Sequence, residues 1–224
     1  MGEIVSITAA DGHQLDAYRA RPGGTPKGGV VLIQEIFGIT PHMERLCDSF
    51  AAAGYTACAP ALFDRLEKNL TFGYDGDQYT AAHAARARLT DEWILADCRA
   101  SVAYLAPAGK VGLAGYCFGG YVAWIAGTDI KELACSVSLY GGGVVRKLDR
   151  VPVCPMQFHV GDHDRAVPLG DIAKIKEAHP DIPFFVYDDA GHGFCTDDRE
   201  GAFQPAACRR ATGRVLDFLG EHVG

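Results

Sequence analysis

Immediately after the apolar run Lys110-Val111-Gly112-Leu113-Ala114 the chain reads Gly115-Tyr116-Cys117-Phe118-Gly119. A G-x-nucleophile-x-G stretch in that place calls for a sharp turn out of a strand and into a helix, with glycines where a Cβ would clash with passing backbone. Here the nucleophile position holds a thiol. Asp164 and then His192 follow in chain order, and each comes just after a predicted strand.

The segments around this turn alternate in type. Ile4-Val5-Ser6-Ile7 and Leu15-Asp16-Ala17-Tyr18 flank the turn dipeptide Asp11-Gly12 and predict an antiparallel hairpin at a sheet edge. Gly29 to Ile33 is continuously apolar, as a strand covered on both faces must be. A helix is expected from Thr40-Pro41, with threonine as N-cap, proline at the first helical position and Met43, Leu46, Cys47 and Phe50 on one face. Gly54 closes it. Tyr55 to Ala59 reads as a strand, Pro60 to Gly76 as a long irregular connection holding Arg65, and Thr90 to Ala106 as a capped helix with Ile94, Cys98, Val102 and Leu105 aligned. Strands at Ala134–Leu139, Met156–Val160 and Pro183–Tyr187, a helix at Ile172–Ala178 and a closing helix through Val215, Phe218 and Leu219 complete the pattern. Such alternation specifies an α/β fold with a mostly parallel, doubly wound sheet, in one domain spanning 1–224. Sites in these sheets lie beyond the carboxyl ends of strands, where all three candidate residues fall.

Composition excludes several functions. There are 28 acidic against 21 basic residues, a formal charge of −7, and no basic block suited to a phosphate backbone, so nucleic acid is not an expected partner. No apolar stretch has the length of a membrane span, and Met1-Gly2-Glu3-Ile4-Val5 lacks the pattern of an export signal. A monomer in the cytoplasm is expected. The eight cysteines are scattered without CxxC pairs, which reads as reduced thiols, mostly small buried hydrophobes.

A thiol with a pKa of about 8.5 is only a few per cent thiolate at neutral pH and needs a base. His192, in Ala190-Gly191-His192-Gly193-Phe194, is the candidate, and Asp164 would hold its ring in one tautomer. His163 is a competitor for the base, and Asp162 and Asp188 are alternatives for the acid. The Phe118 N–H at the helix head and the Ile36 N–H after the Gly29–Ile33 strand are the candidate donors to a developing oxyanion. Glu35 sits at the end of that strand, and if buried it requires a partner. His192, Cys195 and Cys208 match no compact zinc spacing, so neither metal nor cofactor is expected.

Gln34-Glu35-Ile36-Phe37-Gly38, Gly115 to Gly120, the Asp164 segment ending in Val167-Pro168, and Ala190 to Phe194 together resemble the dienelactone hydrolase family, across nearly the whole chain. The resemblance implies an α/β-hydrolase fold and a triad of Cys117, Asp164 and His192. It further implies that Glu35 hydrogen-bonds the resting thiol, so that thiolate forms only when substrate is bound. Arg65, in Pro60-Ala61-Leu62-Phe63-Asp64-Arg65, matches an arginine that holds the substrate carboxylate in that family. A second arginine shortly after the histidine is absent, because Gly193, Phe194, Cys195 and Thr196 follow His192; Arg199 is the nearest substitute. The activity implied is ring-opening of a dienelactone in the catabolism of chlorinated aromatics, on a small ester or lactone substrate. Its rivals are a broader carboxylesterase or thioesterase with the same residues, and a non-catalytic redox-sensing thiol protein.

Overall fold

The structure is a computed structural model and describes residues 2–224. Among the described residues eight strands form one sheet in the order β1-β2-β4-β3-β5-β6-β7-β8. They are β1 (Glu3–Thr8), β2 (Gln14–Ala20), β3 (Gly29–Ile33), β4 (Thr56–Pro60), β5 (Val111–Tyr116), β6 (Leu133–Leu139), β7 (Met156–Gly161) and β8 (Phe184–Tyr187). The β1–β2 and β2–β4 pairs are antiparallel and every other pair is parallel. Every residue of β3, β4, β5 and β7 is buried, which is why these strands read as continuous apolar runs.

The α-helices of the described residues cover the two faces: α1 (Pro41–Ala52), α2 (Gly76–Arg88), α3 (Asp91–Leu105), α4 (Phe118–Gly127), α5 (Leu169–Ala178) and α6 (Pro205–His222). One core joins Leu113, Ile94, Cys98 and Trp124 beneath α3 and α4; the other joins Val30, Met43, Phe50 and Leu219 beneath α1 and α6. This is the single-domain α/β architecture expected, including the N-terminal hairpin. All eight cysteines are free, five of them buried.

Three local expectations changed. Thr90 caps α3 as expected, accepting from the Trp93 N–H at 3.2 Å, but Thr40 makes no such bond although Pro41 opens α1. The strand expected at 55–59 runs Thr56–Pro60. The connection after Pro60 ends in α2, a helix with no clear signal in the sequence: it buries only Ala82 and Ala85, too little to impress a 3.6-residue apolar period on Gly76–Arg88. Among the described residues no helix is long and apolar enough to cross a membrane.

Strand order reverses at the β3–β5 pair, because the chain passes from β3 outward to β4 and then returns to β5 on the other side. A crevice beyond the carboxyl ends of those two strands is the expected binding place in a sheet of this kind. Ile36 and Cys117 stand at its two sides.

Candidate active site

Cys117 follows β5 directly and opens α4, with φ 55° and ψ −113°. A non-glycine residue held there stores about 1–3 kcal/mol of strain, which the surroundings must enforce. They do so by close packing of backbone. A Cβ on Gly115 would collide with the Gly119 carbonyl, and one on Gly119 with the Ile33 carbonyl. The Cys117 N–H donates to the Leu139 carbonyl at 3.0 Å, tying the turn to the end of β6.

The structure brings the three candidate side chains together. Cys117 Sγ lies 3.0 Å from His192 Nε2, and His192 Nδ1 lies 2.9 Å from Asp164 Oδ2 and 3.1 Å from Oδ1. Asp164, after β7, is fully enclosed, and its Oδ1 also accepts from the Ala166 and Val167 N–H groups at 2.8 and 3.0 Å. Burial acts to lower the proton affinity of His192. The charge on the Cys117 sulfur first, and Asp164 with it, outweigh burial and push the ring up to about 11. His163, the competing base, is largely exposed, and it reaches Asp162 at 4.0 Å rather than the thiol.

Tyr140 was not singled out from sequence. It follows β6 with φ 39°, is fully buried, and sets its ring edge-on to His192 at a centroid distance of 5.3 Å. The positive φ of a bulky residue was its only signature, and φ is invisible in sequence.

Ile36 and Phe118 line the same cleft as Cys117 and His192. Among the described residues neither backbone N–H donates to another backbone group. Phe118 stands in the first turn of α4, where amide protons have no intrahelical acceptor. The backbone network thus leaves two donors of this cleft free.

Glu35 is buried and its Oε1 accepts from the Thr196 hydroxyl at 3.0 Å. Burial pushes its carboxyl up, opposed by His42, Thr196, His192 and Arg199. The thiol contact expected of Glu35 is not made, because the sulfur is turned to His192. Arg65 also departs from expectation. Its guanidinium contacts Asp97 through Nε at 3.0 Å and Nη2 at 2.6 Å, and Asp11 through Nη1 at 2.6 Å. It is absent from the cleft, since two carboxylates already hold it elsewhere.

The cleft has a volume of about 570 Å³. Besides His192, its cationic side chains are Arg86, Arg146, Lys147 and Arg199, of which the sequence points only to Arg199. Lys147 is bound to Asp91 at 3.2 Å. Arg86 lies over the Phe118 ring at 4.3 Å, and burial lowers its proton affinity. A larger cavity of about 740 Å³, between the end of β1 and α3, has no thiol or histidine on its wall. Among the described residues no group of three or more His, Cys, Asp or Glu side chains is arranged to hold a metal ion.

Residues 15–223 match the sequence model of the Dienelactone hydrolase family. The carboxymethylenebutenolidase of Pseudomonas putida is 31% identical over 227 residues, covering 97% of this chain and 95% of that protein. The carboxymethylenebutenolidase of Pseudomonas sp. strain P51 is 33% identical over 231 residues, covering 97% and 94%. Among solved structures, a protein of Klebsiella pneumoniae subsp. pneumoniae MGH 78578, provisionally described as a dienelactone hydrolase, superposes with a TM-score of 0.85 at 24% identity over 97% of this chain and 99% of that one.

Proposed function

The chain belongs to the dienelactone hydrolase family, hydrolases of esters or lactones, and from that premise we propose that Cys117 attacks the substrate carbonyl as the nucleophile of covalent catalysis. In this reading His192 is the proton carrier, Asp164 orients its ring, and the Ile36 and Phe118 N–H groups receive the oxyanion. The observation supporting it is the unbroken contact from Cys117 Sγ through both nitrogens of His192 to Asp164, at 3.0 and 2.9 Å.

The steps follow from the charges. The sulfur bonds to the carbonyl carbon, the carbon–oxygen bond of the ester breaks, and the leaving oxygen takes the proton from His192 Nε2. His192, now neutral, removes a proton from water as that water attacks the thioester. The acid is released and the sulfur regains its place beside an imidazolium. These steps draw on side chains and backbone donors alone. Glu35, gripped by Thr196, is positioned to shape the field around the sulfur rather than to hold its proton.

The first-choice substrate is a small lactone carrying a carboxylate, of the kind named by the carboxymethylenebutenolidase relatives. A second reading, a broader carboxylesterase or thioesterase, is favoured by the diversion of Arg65 into its ion pairs. Turnover of a dienelactone and of neutral 4-nitrophenyl esters, measured side by side, separates the two. The test of the chemistry is Cys117→Ala. Turnover is expected to fall at least about 10³-fold with the fold intact, and mass spectrometry of the wild type with a slow lactone is expected to find an acyl adduct on Cys117. Substantial activity in the variant, or an adduct on another residue, rejects the thiol as nucleophile.

A further inference from the structure

Resting on the ester-hydrolase reading, we infer that the natural substrate carries two anionic groups, one on each side of the scissile carbonyl, and that Arg86 and Arg199 hold opposite ends of it. The first observation is charge. In a chain of net charge −7, no aspartate or glutamate among the described residues lines the cleft, while three arginines do. An excess of cationic side chains on a cleft wall focuses positive potential and draws anions into it.

The second observation is that among the described residues neither Arg86 nor Arg199 is in an ion pair, although Asp91 and Glu35 lie near enough to act on them. Arg86 makes one weak bond, to the Leu89 carbonyl at 3.4 Å, and otherwise rests on the Phe118 ring at 4.3 Å and the Tyr121 ring at 5.5 Å. Arg146 stands near enough to oppose its charge. A half-buried guanidinium with no ion pair is suited to an incoming anion, and its planar fork meets carboxylate in bidentate fashion. Arg199 rests on the Phe37 and Tyr79 rings, each at 5.9 Å.

The third observation is spacing. Tyr79, under Arg199, and Arg86 are seven residues apart on α2, a rise of about 10 Å along the cleft wall. Arg199 and Arg86 are therefore placed against different turns of α2. Phe37 and Phe118, the rings beneath the two arginines, follow or supply the two free N–H groups at Ile36 and Phe118. The carbonyl held between those donors therefore has a guanidinium on either side.

The experiment uses four esters: phenyl pentanoate, phenyl hydrogen glutarate, 4-carboxyphenyl pentanoate and 4-carboxyphenyl hydrogen glutarate. They carry no carboxylate, one on the acyl half, one on the leaving half, or both, and uncatalysed hydrolysis is subtracted for each. In the wild type, kcat/KM is expected to rise about tenfold or more for each carboxylate, as for a charged hydrogen bond. Arg86→Ala is expected to erase the advantage of one carboxylate and Arg199→Ala that of the other, each read as a ratio to phenyl pentanoate in the same preparation. Arg86→Lys and Arg199→Lys, which keep the charge without the fork, retain part of it. If the doubly charged ester is no better than the singly charged ones, or if both alanine variants erase the same advantage, the site takes one anion and the inference falls while the hydrolase reading stands. Failure of the wild type to turn over any of the four removes both.

Discussion

Arg65 and Arg86 are arginines of the same chain in opposite circumstances. Arg65 lies in the turn after β4, with its guanidinium enclosed and held by Asp97 and Asp11. Arg86 lies near the end of α2 with two aromatic rings, one carbonyl and no carboxylate in ion-pair reach among the described residues. The first charge is neutralised within the fold and acts on stability. The second is left for something the fold does not contain. A guanidinium is assigned to structure or to recognition by the anions around it, and the local sequence does not reveal them.

His192 extends the comparison to a cation between these extremes. Its charge is balanced by the Cys117 sulfur and by Asp164, so it should serve stability and chemistry at once. Asp164→Asn is the change of largest expected effect. It is expected to lower kcat about 10⁴-fold by removing the group that orients the ring, with little change in KM. The pH dependence follows from the same contacts. The folded ring binds its proton more tightly than the ordinary histidine at 6.5, so its contribution to stability is complete below that pH and is lost as pH rises through about 11. NMR titration of the ring should find a lower value in Asp164→Asn and in Cys117→Ala. An unchanged value in both would mean that neither neighbour holds the proton.

Arg65→Ala comes next. Removing it leaves Asp97 without its ion-pair partner in a fully enclosed position where burial already pushes the carboxyl up. A cost of about 3 kcal/mol is expected in urea denaturation, as for a broken buried pair. The preference among charged and neutral esters should not move. A shifted preference with little loss of stability would return Arg65 to the substrate and erase the contrast with Arg86.

Much of this was legible because it rests on backbone geometry. The glycines around Cys117 are fixed by how closely β5, α4 and β3 approach, so they mark the turn in the sequence, and the order of Cys117, Asp164 and His192 follows from which strand ends border the crevice. The rest depends on side chains distant in the chain. Nothing near Arg65 reveals Asp97, 32 residues away, and nothing near Glu35 reveals Thr196, 161 residues away. The wall formed by α2 was hidden for a different reason. It contributes alanines to the core and polar groups to the cleft, so it has neither the apolar period of a packed helix nor the spacing of a motif. Recognition was the illegible part of this site because little but unpaired charge marks it.

The smallest expected effect is therefore the most direct reading of that difference. Arg86→Ala removes a cation lying over Phe118 and Tyr121, and such contacts contribute about 0.5–1 kcal/mol at partly exposed sites. No carboxylate is stranded by the change, so urea denaturation should find a loss of about 1 kcal/mol or less, against about 3 for Arg65→Ala. If Arg86→Ala instead destabilises the protein as much as Arg65→Ala does, its charge is already satisfied within the fold. The cleft would then lose its strongest claim to an anionic ligand.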